Sequence, residues 1–167
     1  MTAPHVEVRI EPGMEKDVPV ILRLIQSLAE YEELSGEVTA TEESLRKSLF
    51  GESPSAEVIL AYAGSEPVGF AVFFTSYSTF LGRPGLYLED LFVLPQWRKC
   101  GYGRQLLTHV AKIAVQRACG RMEWSVLDWN EPAVRFYEKV GARPMDQWTV
   151  YRLTGDALQE LASGESM

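Results

Sequence analysis

The chain is poor in the residues that build metal centres and disulfide frameworks. Its 167 residues include two cysteines and two histidines. Cys100 and Cys119 show neither a zinc-ligand spacing nor a disulfide pattern, and a lone bridge is uncommon in a reducing compartment. His5 and His109 lie far apart, and His109 falls on a helical run where a helix-face histidine is the simpler reading, so no metal site is expected. No apolar run approaches the ~20 residues a membrane span needs. The opening MTAPHVEVRI lacks the basic region and apolar block of a secretory leader. Together these absences predict a cytoplasmic protein without a membrane partner. Positive charge is also short: Lys and Arg number 16 against 23 Asp and Glu, a net charge of −7. That balance argues against a general nucleic-acid binder, which carries a basic face. It suits plain solubility or the steering of a cationic substrate.

What is present predicts a globular protein. The hydrophobic fraction is 46% and the charged fraction 23%, enough for one domain over residues 1–167 with a substantial core. No repeat, low-complexity tract or linker interrupts it. Val6 to Ile10 alternates as a first strand, closed by Pro12-Gly13. Asp17 is placed to cap a helix with Pro19 in its first turn. Val18, Ile21, Leu22, Ile25, Leu28 and Ala29 then form one apolar helical face. That helix ends near Tyr31-Glu32-Glu33, where the acids meet the negative end of the helix dipole; solvent or a cationic partner must accommodate them. Thr41 opens a second helix, with Ser44 where a capping box has Glu or Gln. Val58 to Ala63 and Val68 to Tyr77 form a hairpin around Gly64-Ser65-Glu66-Pro67, and Phe80 to Gly85 leads into the next strand.

That strand, Leu86 to Val93, is rich in large apolar residues and stops at Pro95. Two acids, Glu89 and Asp90, interrupt it. Adjacent strand residues point to opposite faces, so their carboxylates share an environment only if the strand bulges. Arg98, Gly101 and Gly103 form R-x-x-G-x-G before a helical run, Gln105 to Ala118, which Gly120 is placed to stop. Glycines there allow close backbone approach, and N–H groups at a helix start bind anions; a tight strand–helix turn with a surface arginine explains the same residues. The pattern is neither a dinucleotide fingerprint nor a P-loop, since no G-x-G-x-x-G or G-K-[ST] is present. Glu123 to Leu127 is a further strand, Asn130 with Pro132 starts a helix ended by Gly141, Trp148 to Leu153 a last strand, and Gly155 to Ala162 a terminal helix or a frayed tail. The order predicts an α/β fold: a mixed sheet with helices on both faces.

A carboxylate in a partly dry cleft has a raised pKa and accepts a proton, which an amine with a pKa of about 10 must lose before attacking a thioester. Glu89 and Asp90 suit that task, or they lie solvated at a sheet end. Tyr137 is by periodicity an aromatic core residue.

YLEDLFV, RKCGYG and VLDWNEPAVRFYEKVGA, with ILRLIQSLAEYEEL near the N-terminus, resemble consecutive segments of the GNAT N-acetyltransferases, in the spermidine/spermine and thialysine branch. The likeness spans roughly residues 6–155. It implies a mostly antiparallel sheet splayed at the central strand, acetyl-coenzyme A (acetyl-CoA) in the gap, a homodimer, and direct transfer of acetyl to a primary amine in a ternary complex. The resemblance assigns Leu91, Phe92 and Val93 to backbone pairing with the pantetheine arm. It gives Arg98, Gly101, Gly103 and Arg104 the pyrophosphate, and Asn130 the cofactor arm. Tyr137 becomes the general acid, Glu89 the base, and Tyr31, Glu32 and Asp90 line the amine site. Phe80 stands where polyamine-type members have tryptophan, the segment before Trp148 lacks their acidic run, and LDWN is closer to the thialysine type. The acceptor is therefore a diamine, a polyamine or a lysine-like amino acid. A protein-lysine or aminoglycoside acetyltransferase, or a non-catalytic acyl-CoA sensor, are the alternatives.

Overall fold

Strand alternation and tight turns lay down one sheet. The computed structural model describes residues 7–164. Two compact units divide the chain, one ending at Ser125 and the other beginning at Val126. The first contains β1 (Val8–Pro12), α1 (Val18–Tyr31), α2 (Glu42–Phe50), β2 (Glu57–Ala63), β3 (Glu66–Ser78), β4 (Arg83–Val93), α3 (Tyr102–Gln116) and β5 (Met122–Glu123). The sheet order is β1-β2-β3-β4-β5. The first four strands are antiparallel, and β5 runs parallel to β4.

The core follows from alternation on β2 and β3. Val58, Leu60, Phe70, Val72 and Phe92 pack with Val18, Ile21 and Leu24 of α1 and Leu45 of α2. Ile59, Ala61, Ala71 and Phe73, also buried, alternate with them and turn to the opposite face. α3 packs on β3 and β4 and buries Leu106, Leu107, Val110 and Ala114. Both faces of the sheet are thus covered, as the sequence predicts.

Local chemistry departs from the sequence reading at several points. Val6 lies outside the described residues, and β1 runs to Pro12, which an edge strand tolerates. The Asp17 side chain does not cap α1; its carboxylate accepts the Met14 N–H at 2.9 Å, closing the preceding turn. Ser44 does complete a capping box: Thr41 N–H donates to Ser44 Oγ at 2.9 Å, and Ser44 N–H to Thr41 Oγ1 at 3.1 Å. Only Gly64-Ser65 forms the β2–β3 turn, and Pro84 and Gly85 belong to β4 rather than to a connector. α3 ends at Gln116, and the left-handed residue beyond it is Ala118 (φ 54°), not Gly120.

In the second unit the helices are α4 (Glu131–Lys139) and α5 (Gly155–Ser163). Gly141, at φ 92°, ends α4 as expected. The expected strand at Trp148–Leu153 is absent, and of Glu123–Leu127 only Glu123 is in a strand, as the last residue of β5. A strand exists through its ladder, so β-favouring residues without a paired edge stay irregular.

Phe70 is fully buried where α1 meets the sheet. Phe70→Ala is expected to cost about 3–5 kcal/mol, read as a lower denaturation midpoint in urea with an unchanged slope.

Candidate active site

The site begins with a defect in a strand. Val72 of β3 stands opposite Asp90, and Phe73 opposite Leu88, so Glu89 is an extra residue in β4. A bulge of this kind bends the strand and re-aims its side chains. The two acids no longer occupy strictly opposed environments: Glu89 and Glu32 both act electrostatically on Asp90. The Asp90 carboxyl is pushed up to about 6, first by burial and then by these two negative charges. Burial also raises the Glu32 carboxyl. Glu89 itself is exposed. The structure therefore gathers Glu32, Glu89 and Asp90 of the expected site, although Glu32 lies just past the end of α1 and the others on β4.

On its other side, β4 loses its neighbour. Pairing with β5 covers only Leu86 with Met122 and Tyr87 with Glu123. From Leu88 to Val93 the strand pairs with β3 but not with β5. This is the splay expected at the central strand. It leaves the stretch containing Leu91, Phe92 and Val93 without a β5 partner, the setting in which an extended amide-bearing chain adds by backbone hydrogen bonds.

After β4 a short turn at Pro95–Trp97 leads into the glycine loop. Lys99 (φ 66°) and Gly101 (φ 83°) are left-handed, and Gly101 is the N-cap of α3. The first helical bond is Gln105 N–H to the Gly101 carbonyl at 3.1 Å, so the earlier N–H groups have no helical partner. A cradle of N–H groups at a 15-residue helix start, with Arg104 exposed in its first turn, suits a phosphate group. Gly103 would bring an added Cβ to 3.9 Å from Val93 Cγ2, ordinary contact. Its value lies in the open backbone, not in internal crowding. Buried Tyr102 rests near Trp97, ring centroids 6.1 Å apart, and Trp97 Nε1 donates to Glu66 Oε1 at 3.2 Å. Sequence reading passed over these loop anchors, because Glu66 lies in a turn signal with nothing to tie it to Trp97.

Arg98 is turned inward. Its Nε donates to the Val93 carbonyl at 2.9 Å, and its guanidinium carbon lies 4.0 Å from the centroid of the Tyr31 ring. Tyr31 was expected in the amine site; its contact with Arg98 was not expected. Asn130 and Tyr137 belong to the second unit. Asn130 is buried at the N-cap of α4, but its side chain makes no capping bond. Tyr137 lies on α4, half-buried, its ring beside Phe136 with centroids 5.3 Å apart. Among the described residues no group of three or more His, Cys, Asp or Glu could hold a metal ion. Nor is any described helix long and apolar enough to cross a membrane.

The sequence model of the acetyltransferase (GNAT) family matches residues 22–142. The chain belongs to the GNAT family of acetyltransferases. Thialysine N-epsilon-acetyltransferase of Mus musculus is 40% identical over 165 residues, covering 92% of this chain and 96% of that protein. L-ornithine N5-acetyltransferase of Arabidopsis thaliana is 34% identical, covering 92% and 87%. Among solved structures, an integron cassette protein from the V. cholerae mobile metagenome superposes with a TM-score of 0.77 at 28% identity, over 93% of this chain and 97% of that one. An aminoglycoside acetyltransferase bound to sisomicin shares the fold, TM-score 0.75, at 20% identity over 89% and 97%. The protein is thus a GNAT N-acetyltransferase acting on amines, of the thialysine and polyamine branch. Family membership makes acetyl-CoA its donor, and the open β4 edge and the α3 loop suit such a ligand.

Because the folded protein holds the Asp90 proton more tightly than the unfolded chain, this group makes stability fall as pH rises from about 4 to about 6. Asp90→Asn is expected to remove that slope and to add on the order of 2 kcal/mol at pH 7, measured by urea unfolding across pH 4–8.

Proposed function

We propose that this acetyltransferase moves acetyl from acetyl-CoA to the terminal primary amine of a small cationic acceptor, by direct transfer in a ternary complex. The acceptor class is a lysine-like or ornithine-like amino acid, a diamine or a polyamine. The observation that carries this reading is the gathering of three carboxylates, Glu32, Glu89 and Asp90, where β4 opens toward the glycine loop. Negative charge at that point attracts an alkylammonium group. The thialysine and ornithine acetyltransferase relatives favour an amino-acid acceptor.

In this reading Leu91, Phe92 and Val93 hold the pantetheine arm along the open edge. The N–H groups around Gly101 and Gly103, with Arg98 and Arg104, hold the pyrophosphate, and Asn130 holds the arm further along. Acetyl-CoA supplies the activated thioester. Tyr31, Glu32 and Asp90 orient the acceptor. Glu89 takes the ammonium proton through water, and the freed amine lone pair attacks the thioester carbonyl. The C–N bond forms, the C–S bond breaks as Tyr137 gives its proton to the departing thiolate, and the nitrogen sheds its second proton through water to the Tyr137 phenolate, leaving a neutral amide. A homodimer and a cytoplasmic location complete the reading.

Thiol release from acetyl-CoA, followed across thialysine, ornithine, lysine, putrescine, spermidine and an aminoglycoside, tests the acceptor class. Turnover confined to the small amines is expected, and turnover with the aminoglycoside alone would reject the reading. Tyr137→Phe is expected to lower kcat about 100-fold with little change in acetyl-CoA affinity. Equal kcat in the two proteins would remove the general-acid role. The amine KM is expected to fall as pH rises through about 6, where Asp90 ionises, and Asp90→Asn should flatten that limb.

A further inference from the structure

Arg98 comes from the motif assigned to the pyrophosphate, yet its side chain reaches the far end of α1. Three observations define its place. Its Nε donates to the Val93 carbonyl at the end of β4, 2.9 Å away. Its guanidinium lies over the Tyr31 ring at 4.0 Å, close enough for a cation–π contact. It also lies 5.4 Å from the Phe92 ring centroid, and Phe92 and Tyr31 are 6.3 Å apart.

The end of α1 needs such a partner. The helix closes at Tyr31 with Glu32 and Glu33 directly after it, at the negative end of the dipole. Glu33 is left-handed at φ 60°, a conformation unfavourable for a non-glycine residue. The closing bonds are Glu32 N–H to the Leu28 carbonyl at 2.9 Å and Leu34 N–H to the Ala29 carbonyl at 2.8 Å. Backbone strain, repelling acids and the dipole all favour opening this turn. A delocalised cation stacked on its last aromatic residue opposes all three. Lysine would not replace it, because a point ammonium lacks both the planar face and the Nε–H fork.

We infer that Arg98 is a positioning residue for the acceptor site: it pins the C-terminal turn of α1 to the end of β4 and so sets Glu32 against Asp90. The charge of Glu32 is felt at Asp90, so displacing that turn changes the carboxylate group. Nε is spent on the Val93 carbonyl, and a phosphate taken by the Nη groups would link donor and acceptor sites through one guanidinium. The acceptor part of this inference rests on the function proposed above; the pinning of α1 does not.

Two measurements on the full chain decide it. Amide hydrogen exchange without cofactor is expected to quicken about tenfold at Glu32 and Leu34 in Arg98→Lys and Arg98→Ala. Tyr31→Ala, which removes the ring, should quicken it likewise. Unchanged exchange in Arg98→Lys would overturn the pinning whether or not amines are acetylated. In steady-state kinetics Arg98→Lys is expected to raise the amine KM about tenfold, a larger change than that in acetyl-CoA affinity. In a Tyr31→Ala background the same substitution should add little. A change confined to acetyl-CoA affinity would overturn the positioning role. If wild type turns over no amine, the function proposed above fails, and the exchange result alone decides the pinning.

Discussion

The structure depends on one strand that has to be paired on one side and unpaired on the other. β4 is held by β3 along its length, but meets β5 at only two residue pairs. Backbone amides left without a neighbour are costly if buried and useful if a ligand completes them. The same strand carries the bulge that brings Glu89 and Asp90 into shared electrostatics, and it ends at the glycine loop that opens α3. Glu89 and Asp90, the stretch without a β5 partner and the glycine loop are consecutive parts of one continuous segment.

Placing them on one segment also explains the packing around it. Phe92 turns to the α1 side of the sheet and joins its core, while Asp90 shares its region with Glu32 beyond the end of α1. The spacing of Glu32 from Asp90 is consequently only as well fixed as the end of α1. That end is acidic and left-handed at Glu33, so its position is set by contacts rather than by helix propensity. Arg98 reaches it from the glycine loop, which joins a region read as cofactor binding to one read as substrate binding.

Local signals were read well where they act within a few residues. The faces of α1 and α3, the β2–β3 hairpin and the glycine stop after α4 all followed from spacing and turn chemistry. Readings failed where a residue's state depends on something distant. Trp148–Leu153 has strand-forming residues but no ladder, and Gly120 was chosen as a helix stop because glycine is the usual left-handed residue, whereas Ala118 takes that role. Asp17 was read as a forward cap, but its carboxylate closes the turn behind it.

The sequence by itself determined which residue types were available to the chemistry and in what order: acids in an apolar strand, then an arginine and two glycines, then a helix. Those follow from side-chain alternation and from the backbone freedom of glycine, which are properties of neighbours in the chain. Only the tertiary structure decided that Glu32 would act on Asp90, that β4 would part from β5 after Tyr87, and that Arg98 would stack on Tyr31. Each depends on how segments far apart in sequence meet or part. Burial and charge proximity arise only once the core has brought those segments together.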